Sequence, residues 1–410
     1  MRVLFINNWF LPDLAGGAEV SLYHTCRGIQ RAGVDCTLLS VITRGAEPVN
    51  EWYHLDHIPV HRVRYFTKPP LNQLMDLRVY RNVADELAAV KPDLVHIHNV
   101  SGASLAPFLA CRHAGVPVVN TLHDLWLICP NNMRYQEDGS YCDPRRFPNG
   151  CGRCFRKYDY WAAVPQRRRI FQALTSHVRT FIAPSQALID RHVEAGYPPE
   201  RFRLAPYGLE EPEAVAPRHP VIQDLVRTAS TQPTVVFAGG GSEHKGAHIV
   251  LAAIPTLLAQ TEGLRIIVAG GGEERFLQAY QRFAPAVMTL GPVPFADMRA
   301  LFGAADLSIV ASVWHENSPV VIYENFQVGT PVTGSAFGGT SELIDEDQTG
   351  YLYEVGNAEA LAATVKRHFQ KAPWQRRQMR QQCLRTVRTR LGLDAHVATH
   401  LRIYHEVLAN

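Results

Sequence analysis

The chain has 410 residues, of which 46% are hydrophobic, and its 41 basic and 38 acidic side chains give a formal net charge of +3. At roughly 150 residues per domain this length predicts two or three domains, and the apolar content suffices for a core in each, which excludes a disordered chain. The near balance of charge provides no general attraction to nucleic acid, so a nucleic-acid-binding protein is disfavoured.

The number of cysteines and the length of the apolar runs predict where the protein is located and whether it spans a membrane. Eight cysteines are too few for a disulfide scaffold, so the cytoplasm is the expected location. The sequence turns polar after Ile6, and no later run reaches the roughly 18 apolar residues of a spanning helix. The stretch 371–390 is basic and lacks acids, which is typical of a solvated helix face, with peripheral contact to an anionic membrane as the alternative.

The first half of the chain alternates between short apolar runs and helical periods. Residues 3–6 predict a strand, and the apolar spacing over 18–29 predicts a helix that ends near Gly33. The alternation continues with predicted strands at 34–41, 94–97 and 117–122 and with helices over 74–87 and up to residue 114. This pattern is typical of a parallel sheet with helices on both faces.

The alternation stops at 210–217, a stretch with two prolines and no period, which predicts a linker. A second series follows, with predicted strands at 234–238, 264–269, 287–290, 307–310 and 331–333 and a helical tail from Leu393. We therefore predict domains over 1–212 and 213–390 and a docked tail helix over 391–410. A ligand is expected in a cleft where the carboxyl ends of the two sheets face each other.

Two glycine-rich loops follow predicted strands. Gly16 and Gly17 precede a helix, where they allow a close backbone approach and where the helix start favours phosphate, although a plain turn is the alternative. The second loop contains Gly240 and places Lys245 ahead of a helix, a combination that suits a diphosphate, with a flexible turn and a solvated lysine as the alternative. Its spacing is not that of a Walker loop.

The segment 314–324 predicts a helix start. Ser318 is expected as the N-cap and Pro319 as the first helical residue. The N–H groups of Val320 and Val321 would then be free to bind phosphate.

Two carboxylates flank this helix start. Glu316 lies just before it, and Glu324 lies on the apolar helix face, where a carboxylate needs hydroxyl groups or a cation. A sugar nucleotide needs hydrogen-bond acceptors for the hydroxyl groups at its two ends and donors for the diphosphate between them. Two solvated glutamates remain the alternative.

His123 and Asp124 follow the predicted strand 118–122 at its carboxyl end, where ligands of such folds bind. A histidine there can contact sugar hydroxyls, whereas a lone histidine after a strand is otherwise a satisfied core residue.

Four cysteines lie in a loop over 129–154, namely Cys129, Cys142, Cys151 and Cys154. Four thiolates can hold a tetrahedral Zn²⁺, which would be structural because no coordination position stays open. Packed free thiols and a disulfide or redox pair are the alternatives.

These segments together resemble glycosyltransferase family 4, whose members are retaining enzymes that use a nucleotide-diphosphate sugar. The markers are Gly16-Gly17-Ala18-Glu19, His123-Asp124, Lys245-Gly246, the pair Glu316 and Glu324 with seven residues between them, and Gly338-Gly339-Thr340-Ser341-Glu342. The resemblance implies an α/β protein of the GT-B fold, with two doubly wound Rossmann-like domains facing a central cleft and a C-terminal helix that crosses back to the first domain. It also implies an acceptor-binding first domain, a donor-binding second domain and catalysis without a divalent metal or other cofactor.

The resemblance assigns roles to single residues. His123 would contact the transferred sugar, Lys245 would neutralise the diphosphate, and Glu316 would bind the sugar hydroxyls, so that these three are the catalytic candidates. The other donor contacts would come from Gly16, Gly17, Gly240, Ser318, Val320, Val321, from Glu324 at the ribose, and from Gly291 and Val293 at the base. The partners would be a UDP- or GDP-linked sugar and a hydroxyl acceptor, with a lipid-linked acceptor as one option in polysaccharide or glycoconjugate synthesis.

One position departs from the family pattern. Members usually carry an arginine that partners the lysine in the phosphate loop, whereas this chain has Gly240 and Gly241 there. A missing cation leaves the departing diphosphate less neutralised, and His244 or Arg275 is a candidate replacement. A sugar-nucleotide epimerase of the same fold and a non-catalytic sugar-nucleotide-binding protein are the rival functions.

Overall fold

The computed structural model describes residues 1–13, 16–42, 47–65, 74–135, 142, 167–210, 216–229 and 231–409. The chain divides into two compact units. Unit 1 comprises Met1–Glu210 and Leu393–Asn410, and unit 2 comprises Glu211–Gly392. The domain boundary predicted after residue 212 lies outside the described residues.

Unit 1 is built on a sheet with the strand order β3-β4-β2-β1-β5-β6-β7-β8. Its strands are β1 Arg2–Asn7, β2 Asp35–Ile42, β3 Val49–Leu55, β4 Ile58–Arg64, β5 Leu94–Ile97, β6 Val118–Thr121, β7 Val178–Ala183 and β8 Phe202–Leu204. Its helices are α1 Gly17–Arg31, α2 Leu77–Val90, α3 Ala106–Ala114, α4 Arg167–Leu174, α5 Gln186–Glu194 and, from the end of the chain, α14 Leu393–Ala409. Alternate residues of β1 enter two different apolar clusters, so the sheet is covered on both faces as predicted. The β3–β4 pair is antiparallel, which the sequence did not indicate.

Unit 2 is built on a fully parallel sheet with the order β11-β10-β9-β12-β13-β14. Its strands are β9 Thr234–Phe237, β10 Arg265–Ala269, β11 Val287–Gly291, β12 Leu307–Val310, β13 Val332–Ser335 and β14 Gly350–Tyr353. Its helices are α6 Pro220–Thr228, α7 Ala247–Gln260, α8 Glu274–Gln281, α9 Phe295–Ala304, α10 Val320–Gln327, α11 Thr340–Leu343, α12 Ala358–Gln370 and α13 Pro373–Arg390. Apolar clusters again cover both sheet faces.

The C-terminal helix α14 packs on the first unit, as predicted. Val397, Ile403 and Tyr404 are buried in one apolar cluster with residues of α1 and β1. The two helices approach closely at Gly28, where a Cβ atom would lie 2.4 Å from Cγ2 of Val397. The Tyr404 hydroxyl bonds to Nδ1 of His96 on β5 at 2.6 Å.

Each sheet has one strand where its order reverses. In unit 1 this strand is β1, which pairs with β2 and β5, and in unit 2 it is β9, which pairs with β10 and β12. Parallel sheets bind ligands at the carboxyl ends of such strands. Among the described residues, no helix is long and apolar enough to cross a membrane.

Candidate active site

The loops after β9 and β12 in unit 2 meet through an ion pair. Nζ of Lys245 lies 2.5 Å from Oε1 of Glu316, and the same oxygen accepts hydrogen bonds from Ser312 Oγ at 2.7 Å and from Trp314 Nε1 at 2.9 Å. The Lys245 ammonium also lies 5.2 Å from the centre of the Trp314 ring. Adjacent strands bring these loops together because β9 and β12 are neighbours in the sheet.

The two carboxylate oxygens of Glu316 differ in their surroundings. All three hydrogen bonds go to Oε1, and no hydrogen bond from the described residues reaches Oε2. Burial acts to raise the pKa of Glu316, but the charge of Lys245 and the hydrogen bonds outweigh it and leave the pKa below its ordinary value. Glu316 is therefore an ionised carboxylate with one oxygen available for hydroxyl groups.

A second glycine pair holds the backbone of this segment. The N–H of Gly339 donates to the carbonyl of Glu316 at 2.7 Å. A Cβ atom on Gly339 would lie 1.9 Å from the Asn317 carbonyl oxygen, so only glycine permits this approach. The family marker at 338–342 thus supports the loop that carries Glu316.

The glycine-rich loop after β9 has a structural reason to lack arginine. Gly240 has a φ of 53°, and a Cβ atom there would lie 2.2 Å from the Gly271 carbonyl oxygen in the loop after β10. The N–H of Gly241 donates to that same carbonyl at 3.0 Å. The two loops are joined backbone to backbone, which leaves no space for a side chain at position 240.

Neither candidate replacement provides a free cation in this structure. Burial and the charge of Lys245 lower the pKa of His244, so its imidazole is neutral at physiological pH. Arg275 is paired with Glu243 at 2.9 Å and with Glu273 at 2.8 Å.

The start of α10 differs by one residue from the sequence prediction. The helix begins at Val320 with Pro319 in the N-cap position, and Ser318 does not cap it. The Ser318 hydroxyl instead pairs with the Tyr323 hydroxyl at 2.6 Å. The predicted capping role of Ser318 was therefore wrong, but the N–H groups of Val320 and Val321 are still at the helix start, where they lack intrahelical acceptors.

Glu324 lies on α10, one turn beyond that start. Among the described residues no hydrogen bond or ion pair reaches its carboxylate, and burial raises its pKa to about 7. The predicted base loop lies nearby, since Val293 packs in the same apolar cluster as Val321 of α10. Gly291 ends β11 with a φ of 65°.

The loop after β1 in unit 1 carries the first glycine pair. Gly16 immediately precedes α1, and Gly17 is its first residue. Glu19, in the first turn of the helix, is 3% exposed, and burial raises its pKa despite hydrogen bonds from the Gly16 backbone and the Asn7 side chain.

His123 follows β6 and has a partner at each ring nitrogen. Its Nε2 lies 2.8 Å from Nδ1 of His98, and its Nδ1 lies 2.8 Å from the Tyr207 hydroxyl. Burial lowers the pKa of His123 to about 3, so the imidazole is neutral at physiological pH. The adjacent Asp124 accepts hydrogen bonds from the Trp126 N–H at 2.8 Å and from Asn132 Nδ2 at 3.1 Å, which shapes the loop after His123.

Of the four loop cysteines, Cys129 and Cys142 belong to the described residues, and Cys151 and Cys154 lie outside them. The Cys129 thiol is buried and donates to Oδ1 of Asn131 at 2.7 Å. Within the described part of the chain, no group of three or more histidine, cysteine or acidic side chains is arranged to hold a metal. The zinc site remains a prediction.

Comparison with known families gives two matches. Residues 15–211 match glycosyltransferase family 4, and residues 232–371 match glycosyl transferases group 1, so that together they cover well over half of the chain. The chain belongs to glycosyltransferase family 4. It is a retaining glycosyltransferase that moves a sugar from a nucleotide-diphosphate sugar to a hydroxyl acceptor, in a family that typically needs no metal for catalysis.

Individual relatives of this glycosyltransferase are distant in sequence. A glycogen synthase of Mycobacterium tuberculosis is 24% identical over 396 residues, which cover 89% of this chain and 85% of that protein. An uncharacterized 42.6 kDa protein in the cps region of Klebsiella pneumoniae is 23% identical over 358 residues, covering 84% of this chain and 87% of that one. The crystal structure of Anabaena HepE with UDP-glucose has a TM-score of 0.70 at 21% identity and covers 99% of this chain and 100% of that one. This likeness shows the GT-B fold.

Several residues around these positions were not found by sequence reasoning. Ser312 and Trp314 support Glu316, while His98 and Tyr207 hold His123. The only available signal was position, because Ser312 and His98 each follow the last residues of a predicted strand.

Proposed function

We propose that this glycosyltransferase uses a UDP-hexose donor and that the loops of unit 2 bind its diphosphate, ribose and sugar. Support for uridine comes from HepE, which was crystallised with UDP and with UDP-glucose. The observation that carries the site assignment is the Lys245–Glu316 pair. The Lys245 ammonium, a cation for phosphate, lies 2.5 Å from Oε1 of Glu316, while Oε2 accepts no hydrogen bond from the described residues and is left for hydroxyls.

The proposed donor contacts in unit 2 use polar groups that are not fully engaged by contacts with described residues. The ammonium of Lys245 has two more N–H groups than it uses on Glu316, and its side chain is 37% exposed, so it can meet a diphosphate oxygen. The N–H groups at the start of α10 would bind the same diphosphate, and Glu324 would accept the ribose hydroxyls. On unit 1, His123 would contact the transferred sugar.

These groups favour a reaction without a covalent enzyme intermediate. His123 is engaged at both nitrogens, and the open oxygen of Glu316 is assigned here to sugar hydroxyls, so neither residue is assigned as the nucleophile. We infer that the donor phosphate accepts the acceptor's proton as it departs from the same face of the sugar. Stabilisation of the charge on that phosphate would then supply most of the rate, with Lys245 and the α10 amides as its donors.

The experiment compares UDP-glucose with a GDP-linked sugar for thermal stabilisation and for turnover, using NMR to assign the anomeric configuration of the product. Lys245→Ala should weaken UDP binding about tenfold or more, since a charge-assisted contact contributes roughly 1.5 to 3 kcal/mol, and should also lower kcat. Lys371→Ala is the control, because Lys371 lies in the same unit and pairs with Asp347 at 2.9 Å. Unchanged UDP affinity in Lys245→Ala would refute the site assignment.

The cysteine loop is proposed to hold one structural zinc ion through Cys129, Cys142, Cys151 and Cys154. Metal analysis of protein purified without chelators should return about one Zn per chain, and its removal should lower stability while leaving the donor site intact. A metal-free preparation of full stability contradicts this proposal.

Peripheral contact with an anionic membrane is proposed for one face of α13. This basic face comprises Trp374, Arg377, Gln378, Gln381 and Arg385, which are all exposed and recur at helical spacing. Neither Arg377 nor Arg385 forms an ion pair with a described residue, whereas Lys371 and Arg390 of the same basic stretch are paired with acids. Such a surface suits an enzyme whose hydroxyl acceptor is carried by a lipid.

A further inference from the structure

His98 is buried in unit 1 and makes one side-chain hydrogen bond. It follows β5 directly, it is 3% exposed, and its Nδ1 bonds to Nε2 of His123 at 2.8 Å. The other ring nitrogen, Nε2, is buried and has no partner in the described part of the chain. An unsatisfied buried nitrogen costs stability, so the hydrogen bond to His123 is the polar interaction that His98 provides here.

Both imidazoles are neutral, because burial lowers the pKa of His98 well below its ordinary value and that of His123 to about 3. A hydrogen bond between two neutral imidazoles needs one N–H group and one lone pair. Two proton arrangements are therefore possible along the chain from Tyr207 through His123 to His98.

In the first arrangement Tyr207 donates to His123, and His123 donates from Nε2 to His98. His98 would then carry its proton on Nε2, as a buried N–H group without an acceptor. In the second arrangement His98 donates from Nδ1, and His123 donates from its own Nδ1 to the Tyr207 hydroxyl. The unpartnered nitrogen of His98 is then only an unused acceptor. Orphaned buried N–H groups are the rarer defect, which favours the second arrangement.

We propose that His98 is a positioning residue of the sugar-transfer site, which holds His123 as the neutral Nδ1–H tautomer and so keeps one N–H group directed at a hydroxyl oxygen. The Tyr207 hydroxyl is that oxygen in this structure, and a hydroxyl of the transferred sugar is an acceptor of the same kind. The hydrogen bond at one imidazole nitrogen decides which nitrogen carries the proton, and here His98 supplies that bond. The inference rests on the proposed contact between His123 and the sugar.

The first test reads the tautomer directly. In protein labelled with ¹⁵N-histidine, the His123 signals are identified by their loss in His123→Gln, and they should show a protonated Nδ1 and an unprotonated Nε2. In His98→Leu the hydrogen bond from His98 to Nε2 of His123 is lost, so the Nε2 signal should shift and both tautomers should be populated. A protonated Nε2 of His123 in the unmodified protein overturns the proposal.

The second test separates positioning from folding. His98→Leu should lower kcat with the UDP-sugar about tenfold while UDP affinity stays unchanged, because UDP lacks the transferred sugar. His98→Asn places an amide N–H near the position of Nδ1 and should restore most of the turnover. The control is His192→Leu, since His192 of α5 is also fully buried with one unpartnered ring nitrogen. It should lower the thermal midpoint without changing kcat.

Two kinetic outcomes overturn the proposal, namely full kcat in His98→Leu and failure of a folded His98→Asn to restore turnover. Failure of the proposed function gives a different result. If His123→Gln retains full turnover, the sugar contact of His123 is wrong, while the tautomer measurement still decides whether His98 holds the imidazole.

Discussion

Glu316 and Glu324 belong to one segment and have opposite electrostatic surroundings. Glu316 has a cation and two neutral donors at one oxygen, and its pKa lies below the ordinary value. Glu324 has no partner among the described residues, and burial raises its pKa to about 7. Carboxylates whose pKa values are pushed apart are suited to different tasks. Glu316 remains ionised at neutral pH. Glu324 has no hydrogen-bond donor among the described residues, and the hydroxyl groups of a ribose would supply such donors.

Glu324→Gln should increase stability at neutral and basic pH. The unfolded carboxyl titrates near 4.5 and the folded one near 7, so the folded state loses stability as pH rises through this window, and the cost is constant above it. Since Gln removes this cost, its free energy of unfolding should exceed that of the unmodified protein by about 3 kcal/mol at pH 8, and the two should converge near pH 4. Urea titrations across this range measure the difference.

The same substitution tests the ribose contact. An ionised carboxylate accepts hydroxyl donors better than a protonated one, so UDP affinity of the unmodified protein should fall as pH decreases from 8 to 6. Glu324→Gln should bind UDP more weakly at pH 8 and show a smaller pH dependence than the unmodified protein in calorimetric titrations, since only titration of the UDP phosphate then remains. Glu262→Gln, at an exposed position of the same unit, is the control. Parallel pH profiles of the two variants contradict the assignment of Glu324 to ribose.

At this scale the sequence revealed residue types but not their partners. Gly240 could be recognised as a departure from the family pattern, yet the cause is the Gly271 carbonyl, which belongs to a different loop. Both partners of His123 are likewise remote, with His98 25 residues and Tyr207 84 residues away in the chain. Such contacts follow from strand order, which hydrophobic periodicity does not specify.

Helix packing in unit 1 depends on a glycine inside α1. Gly28 faces Val397 and Leu393 of α14, and a Cβ atom would lie 2.4 Å from the former and 3.2 Å from the latter. Both neighbours belong to the apolar cluster that joins the two helices. A glycine within a helix is unfavourable by itself, so its presence here reflects the close approach.

Gly28→Ala should destabilise the protein even though alanine is the better helix former. Overpacking at a close helix contact typically costs about 1 to 3 kcal/mol, which exceeds the gain in helix propensity of about 1 kcal/mol. Gly303→Ala in α9 is the matched control, because the nearest atom to its Cβ would be Cβ of Val328 at an ordinary 3.8 Å. It should be neutral or stabilising in urea unfolding, and equal effects of both substitutions contradict the packing argument.

For the whole molecule, alternation of strand and helix periods was sufficient to predict two doubly wound sheets and a docked tail helix, while the return of that helix to unit 1 came from the family resemblance. The β3–β4 pair was not predicted because β3 lies at the sheet edge with mostly exposed or half-buried side chains, so it has no continuous apolar run. The start of α10 was predicted one residue too early, and the Ser318 hydroxyl pairs with the Tyr323 hydroxyl and does not cap the helix. Ends of elements depend on such tertiary contacts, whereas buried strands are visible in the sequence.

The basic face of α13 concerns the molecule as a whole, because it would bring the enzyme to a membrane-borne acceptor. The balanced net charge of +3 gives no general attraction to anionic lipid, so binding must come from a local surface. Each basic residue near such a membrane contributes about 1 kcal/mol, and an interfacial tryptophan adds apolar contact. We therefore expect the protein to sediment with vesicles of phosphatidylcholine and phosphatidylglycerol, and to be released by salt.

Replacing both Arg377 and Arg385 with Gln should reduce binding to these vesicles at least about tenfold, and Trp374→Ala should weaken it further. Trp52→Ala is the control, because Trp52 is 54% exposed and Trp374 60% exposed, but Trp52 lies on the edge strand β3 of unit 1, stacked on His61. Vesicles of phosphatidylcholine alone should bind neither the unmodified protein nor the variants. If the double Arg variant binds anionic vesicles as well as the unmodified protein, or if Trp52→Ala weakens binding as much as Trp374→Ala, α13 does not carry the membrane contact.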